Sequence, residues 1–257
     1  MTTQSLIDIN LLRDWLTEAG RIALTQFDER VVDIKSDSTP VTQIDRQVES
    51  FLLEKITRYY PGHGVLAEEG SSQPGNNFIW VIDPIDGTRA FASGLPVWGI
   101  SVGVFYRGEP YAGAFYMPAT REIYWGTKTR AFHNEHELIP QDIVDMDSPL
   151  AFIAVPSNAH RQYRIDYPRL RSLGSTTAHL AYVAYGVATA AITRHIRLWD
   201  IAAVLPAFRI SQTALVYLNG KTFNPKDLLN GECVSEPLIA AHSSIIDKVR
   251  ACIQLKS

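Results

Sequence analysis

The 257-residue chain carries 24 Lys and Arg against 27 Asp and Glu, a formal charge of −3, which excludes the basic field that extended nucleic acid needs and an acidic tail for a cationic partner. With 46% hydrophobic and 20% charged residues it can bury a core and is not disordered, and its length allows one large domain or two small ones. Two cysteines, Cys233 and Cys252, cannot staple such a chain, so a reducing, cytoplasmic setting with both thiols buried or idle is expected.

Asp8, Arg13, Asp14, Glu18 and Arg21 interrupt the N-terminal region and leave no apolar core for a secretory signal. No stretch approaches the ~20 apolar residues of a membrane span. Ile9, Leu12, Leu16, Ala19, Ala23 and Phe27 form one stripe of an amphipathic helix. Residues 34–41 read as a polar loop ended by Pro40, and Thr42 with Asp45 as a carboxylate variant of the capping box. Val48, Phe51, Leu52 and Ile56 then give a second helix its core face. After the Pro61-Gly62-His63-Gly64 break come strand-like runs at 65–67, 78–82, 99–106, 112–116 and 123–125, spaced as in an antiparallel meander.

From about residue 150 strands and helices alternate: strand 151–155, helix 175–186, strand 187–193, a helix following Trp199-Asp200, strand 215–218 ended by Asn219-Gly220, strand 237–241 and helix 243–255. The pattern predicts an α+β N-terminal lobe over 1–145 and an α/β C-terminal lobe over 146–257. Together they form one catalytic unit with a seam near 140–150.

Three segments place acids beside apolar runs: Glu68-Glu69-Gly70 after Val65-Leu66-Ala67, Asp83 and Asp86 in Trp80-Val81-Ile82-Asp83-Pro84-Ile85-Asp86-Gly87-Thr88, and Asp200 in Leu198-Trp199-Asp200-Ile201. Burying carboxylates without a partner is costly. No His/Cys cluster suits zinc, and hard oxygen ligands favour Mg²⁺, Mn²⁺ or Ca²⁺. Asp83 and Asp86 can return to one point around Pro84, with the Ile85 carbonyl between them. Gly87-Thr88 opens a helix or turn whose N–H groups suit a phosphate oxygen. Metal carboxylates beside phosphate-binding N–H groups are the requirements of metal-assisted phosphoryl transfer. Singly, each has a plainer reading: a turn for Asp83-Pro84, solvated surface for Glu68-Glu69, and helix caps for Asp45 and Asp200.

Taken in order, the segments resemble the inositol monophosphatase-like, lithium-sensitive, Mg²⁺-dependent sugar phosphatases. Residues 80–91 resemble the family's first signature; Val41-Thr42-x-x-Asp45, Glu68-Glu69-Gly70, Arg171 to Ser175 and Trp199-Asp200-Ile201-Ala202-Ala203 follow in the family's order. The resemblance implies a layered α-β-α-β-α sandwich, usually dimeric, with the metal site between two lobes. It implies Glu68, Asp83 and the Ile85 carbonyl for a first Mg²⁺, Asp83, Asp86 and Asp200 for a second, and a third, weaker ion near Glu68. Thr88, hydrogen-bonded to Asp45, would orient the attacking water with Glu68 assisting. The Gly87 and Thr88 N–H groups would bind phosphate, and Arg89, Gly174, Ser175 and Thr193 would face the substrate.

Two departures stand out. Val204 replaces a common Gly, and Thr193 stands where inositol phosphatases place a Glu that contacts a substrate hydroxyl. Residues 86–99 resemble the histidinol-phosphate phosphatase branch and residues 36–42 the nucleotide bisphosphate phosphatases. The substrate expected is therefore a small phosphorylated metabolite, with inositol monophosphate the family default and histidinol phosphate, fructose 1,6-bisphosphate or 3′-phosphoadenosine nucleotides as alternatives. A relative that binds RNA polymerase or another protein without catalysis would be favoured by loss of a metal carboxylate, and none is lost. His133 to His136 reads as a hairpin turn, Gly220-Lys221-Thr222 as a hairpin rather than a phosphate loop, His179 and His242 as packed, and Trp98 as a sheet residue near enough to brush a ligand.

Overall fold

The computed structural model describes residues 7–27, 33–34, 40–41, 43–140 and 145–256. The N-terminal stripe closes into helix α1 (Ile9–Phe27), which buries Leu12, Leu16, Ala19 and Ala23 at helical spacing. Of the polar loop, a short antiparallel pair is described, β1 (Asp33–Ile34) with β2 (Pro40–Val41). Helix α2 (Gln43–Tyr59) buries Ile44, Val48, Leu52 and Ile56; Thr42, expected to cap it, lies outside the described residues.

Strands β3 (Gly64–Ala67), β4 (Ser72–Gln73), β5 (Phe78–Asp86), β6 (Gly99–Tyr106), β7 (Glu109–Met117), β8 (Glu122–Thr127), β9 (Ala131–His133) and β10 (His136–Glu137) form one sheet, ordered β10-β9-β8-β7-β6-β5-β3-β4. The short helix α3 (Thr88–Ala92) follows β5. The expected antiparallel meander runs from β5 to β10. Strand β3 departs from it and lies parallel to β5, because β4 folds back on the outer side of β3 and returns the chain to the start of β5.

The second sheet combines β11 (Ile153–Ala154), β13 (Leu170–Arg171), β14 (Ala190–Thr193), β15 (Thr213–Tyr217) and β16 (Leu238–His242) in the order β13-β11-β14-β16-β15. Around it lie α4 (Ala159–Gln162), α5 (Thr176–Ala184), α6 (Leu205–Ile210) and α7 (Ile246–Ala251). The helix expected over 243–255 stops at Ala251. Its end becomes β17 (Ile253–Leu255), paired with β12 (Tyr163–Ile165), because Ile253 joins Tyr163 in an apolar cluster. The helix expected directly after Asp200 begins only at Leu205: a 3₁₀ turn spans Leu198–Asp200, and Pro206 sits in the first turn of α6, where its fixed φ is favoured.

The layers follow from alternation along the strands. Trp80 and Ile82 of β5 pack with α1 and α2, whereas Val81 faces a second cluster holding Ala178, Leu180, Leu205 and Phe208 of α5 and α6. On β16, Leu238 and Ala240 join that same cluster, while Ile239 and Ala241 face Val249 of α7. Helices, sheet, helices, sheet and helix therefore stack as the expected α-β-α-β-α sandwich. Among the described residues no helix is long and apolar enough to cross a membrane.

Candidate active site

Strand β5 carries its buried run straight into the site. Its pairing with β6 shifts register between Asp83 and Asp86, so the strand bulges where Pro84 cannot donate. Asp83 Oδ1 accepts from the Ile85 N–H (3.0 Å), which folds the two carboxylates towards each other. Gly87 follows with φ +90°, a left-handed conformation suited to glycine, and a Cβ there would lie 3.1 Å from the Gly174 carbonyl. That small footprint lets the 174–175 loop from the second half of the chain close onto β5.

Asp86 sits against the N-terminus of α5. The Ser175 hydroxyl and the Thr177 N–H (2.9 Å) both donate to its Oδ2, and the Thr176 N–H reaches Oδ1 at 3.3 Å. Ser175 also caps α5, its Oγ accepting from the Ala178 N–H (2.9 Å). Ser175, expected beside the substrate, is fully buried and bonded to the Asp86 carboxylate, and it lines a cleft next to the site.

Asp200 arrives on the 3₁₀ turn. The plainer reading had it capping a helix ahead; its Oδ2 instead accepts from the Arg197 N–H behind it (2.6 Å), because no helix begins until Leu205. Thr177 Oγ1 donates to the Asp200 carbonyl (3.0 Å), and Ser101 Oγ to the Trp199 carbonyl (3.1 Å). The turn then lies directly on the sheet: a Cβ on Gly103 would stand 2.4 Å from Ala202 Cβ, and one on Gly113 2.3 Å from the Ala203 carbonyl oxygen. These glycines pair across β6 and β7 and were not singled out in the sequence, although isolated glycines inside strands signal close backbone approach.

Glu68 follows β3, its N–H donating to the Ile82 carbonyl (3.1 Å), and its side chain hydrogen-bonds Asp83. The loop it begins is held by Glu49, also missed in the sequence, which accepts from the N–H groups of Glu69 (2.9 Å) and Ser71 (3.3 Å). Its signal is spacing: Glu49 lies four residues after Asp45 on the buried face of α2. Thr88, implied to bond Asp45, differs from that expectation. Its hydroxyl donates to the Ile85 carbonyl (3.1 Å), the acceptor nearest along the β5–α3 turn.

Carboxylate oxygens of Asp83, Asp86 and Asp200 all lie within 4.8 Å of one another. None of the ion pairs among the described residues involves these three. Burial, reinforced by the charges of Glu68, Asp86 and Asp200, pushes the Asp83 carboxyl well above the usual range. Burial also raises Asp200, against the opposing Arg197 N–H. Asp86 rises to about 6, burial outweighing the hydrogen bonds from Ser175, Thr177 and Thr176. Such a set of buried oxygen donors fits a hard divalent cation. In front of it opens a cleft of about 760 Å³, lined by Glu68, Asp86, Gly87, Thr88, Arg89, Gly174 and Asp200 among others. Thr193 lines a neighbouring cleft instead, at the end of β14.

Several smaller expectations are settled. His133 and His136 flank a hairpin turn with Asn134 at φ +53°, and His179 and His242 are packed. Trp98 is fully buried against Phe91 and lines neither cleft. Both cysteines are free; Cys233 is exposed and Cys252 half-buried.

A five-layered sandwich that converges carboxylates from β5 and from the Leu198–Asp200 turn on one cleft defines the class of the metal-dependent phosphatases. The model of the inositol monophosphatase family matches residues 8–254, and the chain belongs to that family: it is a phosphomonoesterase. It is 34% identical over 220 residues to the inositol-1-monophosphatase of Bacillus subtilis, covering 79% of this chain and 82% of that one. It is 32% identical over 211 residues to the histidinol-phosphatase of Chlorobaculum parvum, covering 77% and 81%. A solved Thermotoga maritima IMPase superposes with a TM-score of 0.81 at 25% identity, over 95% of each chain.

Proposed function

We propose that the chain is a Mg²⁺-dependent phosphomonoesterase acting on a small polyol phosphate, for which inositol monophosphate is the reference substrate. The observation that carries this reading is the set of three aspartates, Asp83 and Asp86 buried and Asp200 half-buried, with carboxylate oxygens within 4.8 Å, without an ion-pair partner among the described residues, facing a polar cleft.

Glu68, Asp83 and the Ile85 carbonyl would hold one Mg²⁺, and Asp83, Asp86 and Asp200 a second; a third ion near Glu68, or Mn²⁺ in place of Mg²⁺, is compatible with the same oxygen donors. Bound there, the cation supplies charge neutralisation and a water of lowered pKa. The chain's own groups do the rest. Asp45, Thr88 and Glu68 orient the attacking water and accept its proton; turning the Thr88 hydroxyl about one bond redirects the proton now given to Ile85. The N–H groups of Gly87 and Thr88 hold a phosphate oxygen, as the first N–H groups of a helix have no intrahelical acceptor. Arg89 and Gly174 border the ester on its substrate side, and Ser175 acts through Asp86 by fixing the carboxylate. The free cysteines accord with a cytoplasmic enzyme, and a homodimer inhibited by lithium is the form the family resemblance favours.

The test is phosphate release with Mg²⁺ and after chelation, over inositol 1-phosphate, histidinol phosphate, fructose 1,6-bisphosphate and adenosine 3′,5′-bisphosphate. Release from at least one ester that stops on chelation is expected. Release unaffected by chelation contradicts the reading.

A further inference from the structure

Strand β14 ends between two clefts: Thr193 lines the neighbouring one, and His195, two residues on, lines the cleft in front of the aspartates. The backbone bends between them, with His195 at φ +54°, a left-handed conformation that residues other than glycine adopt uncommonly. Elsewhere among the described residues that conformation follows from the fold: Arg107, Arg121 and Asn134 sit in turns between antiparallel strands, and Gln212 follows the end of α6. His195 lies in neither setting, and strain of this kind collects where a side chain is presented at a site. Its neighbours fix the bend. Ile196 and Val234 exchange both N–H···O bonds (3.0 and 2.8 Å), and Arg194 Nε donates to the Ser235 carbonyl (3.0 Å). His195 itself is exposed, and its imidazole has no hydrogen-bond, ion-pair or ring partner among the described residues. Arg197, further along the same wall, is already engaged, its N–H on Asp200 and its Nη1 on the Gly231 carbonyl.

We propose that His195 determines specificity by hydrogen-bonding a hydroxyl of the alcohol part of the substrate, so that polyol esters are preferred to esters whose alcohol carries no further hydroxyl. The inference rests on the phosphatase reading and adds the residue that reads the alcohol. With cations on the carboxylates and the phosphate on the Gly87 and Thr88 N–H groups, the alcohol's hydroxyls fall to the other polar side chains of the cleft. Arg197 is spent on its own loop, whereas His195 is free. A neutral imidazole offers one donor and one acceptor, and a hydroxyl can answer either. Because the bend is pinned on both sides, the position of the ring is set before the substrate arrives, and little ordering is left to oppose binding. The strained backbone is then the cost of placing a side chain where glycine would sit without strain but would offer no contact.

The test compares inositol 1-phosphate with cyclohexyl phosphate, a ring of the same size without the hydroxyls, in the Mg²⁺-loaded enzyme and in His195→Gly, His195→Ala and His195→Asn. The parent enzyme should favour inositol 1-phosphate in kcat/KM at least about tenfold. His195→Gly and His195→Ala should both raise the KM for inositol 1-phosphate about tenfold, with kcat within about threefold and cyclohexyl phosphate unmoved. His195→Asn, which keeps an N–H donor and tolerates the left-handed backbone, should restore part of the loss. The melting temperature of His195→Gly should not fall, since glycine takes this conformation without strain. An equal loss for both esters, no change in either, or a KM rise in His195→Ala that His195→Gly does not share gives the residue a backbone role and overturns the proposal, leaving the phosphatase reading intact. Phosphate release from neither ester overturns the polyol reading and the proposal together.

Discussion

Asp86 is held by three donors from one helix start, and this makes Ser175 the most exacting of the supporting residues. Replacing it with Ala removes both the cap of α5, worth about 1 kcal/mol, and a donor that lowers the Asp86 pKa. Mg²⁺ affinity should fall about tenfold or more, as for other residues that orient a ligand; titration calorimetry reads this directly, and unchanged affinity would show that Ser175 serves α5 alone. His179 offers a separate test of packing. Burial lowers its pKa to about 4, so its stabilising contribution is fully present above the ordinary value of about 6.5 and is lost as pH falls through about 4. Urea unfolding should therefore show a loss between pH 6.5 and 4 that is on the order of 3 kcal/mol from this residue, and His179→Gln should flatten that part of the profile.

Among the elements, the Trp199-Asp200 turn depends on two strands distant in sequence. Gly103→Ala would place a methyl 2.4 Å from Ala202 Cβ, with both sides backed by backbone. Overpacking of this kind costs about 1–3 kcal/mol. Because the displaced turn carries Asp200, Mg²⁺ affinity should fall together with thermal stability; a stability loss without a metal defect would separate the turn from the site. The same element shows what sequence reading can reach. Residues 80–88 announce their carboxylates locally, through apolar strand, Pro and Gly, and both long helices follow from their stripes. What remained hidden acts across the fold: Glu49 on the 69–71 loop, Ser175 on Asp86, and Gly103 under Ala202. Each is an ordinary residue in its own segment and gains its role only when two layers meet. Helices α6 and α7 are shorter than their sequence patterns: Pro206 in the first turn fixes where α6 begins, and the packing of Ile253 draws the chain after Ala251 into a strand.

At the scale of the whole molecule, two sheets are joined by helices and pinned at a point rich in negative charge. Asp83, Asp86 and Asp200 all have raised pKa values, so in the metal-free protein they favour folding below about pH 3.9 and that contribution is lost as pH rises, through about 6 for Asp86. A bound cation reverses the sign by stabilising the ionised carboxylates. The rise in melting temperature on adding Mg²⁺ should thus be larger at pH 8 than at pH 5; an equal rise at both would mean that the ion binds elsewhere.

Asp83, Asp86 and Asp200 are proposed to form the metal site of the hydrolytic reaction, and Asp83, assigned to both proposed cation positions, is its narrowest point. Phosphate release from the best substrate at saturating Mg²⁺ should fall by at least about a thousandfold in Asp83→Asn, with the circular dichroism spectrum unchanged. Turnover within about threefold of the parent enzyme would contradict the account.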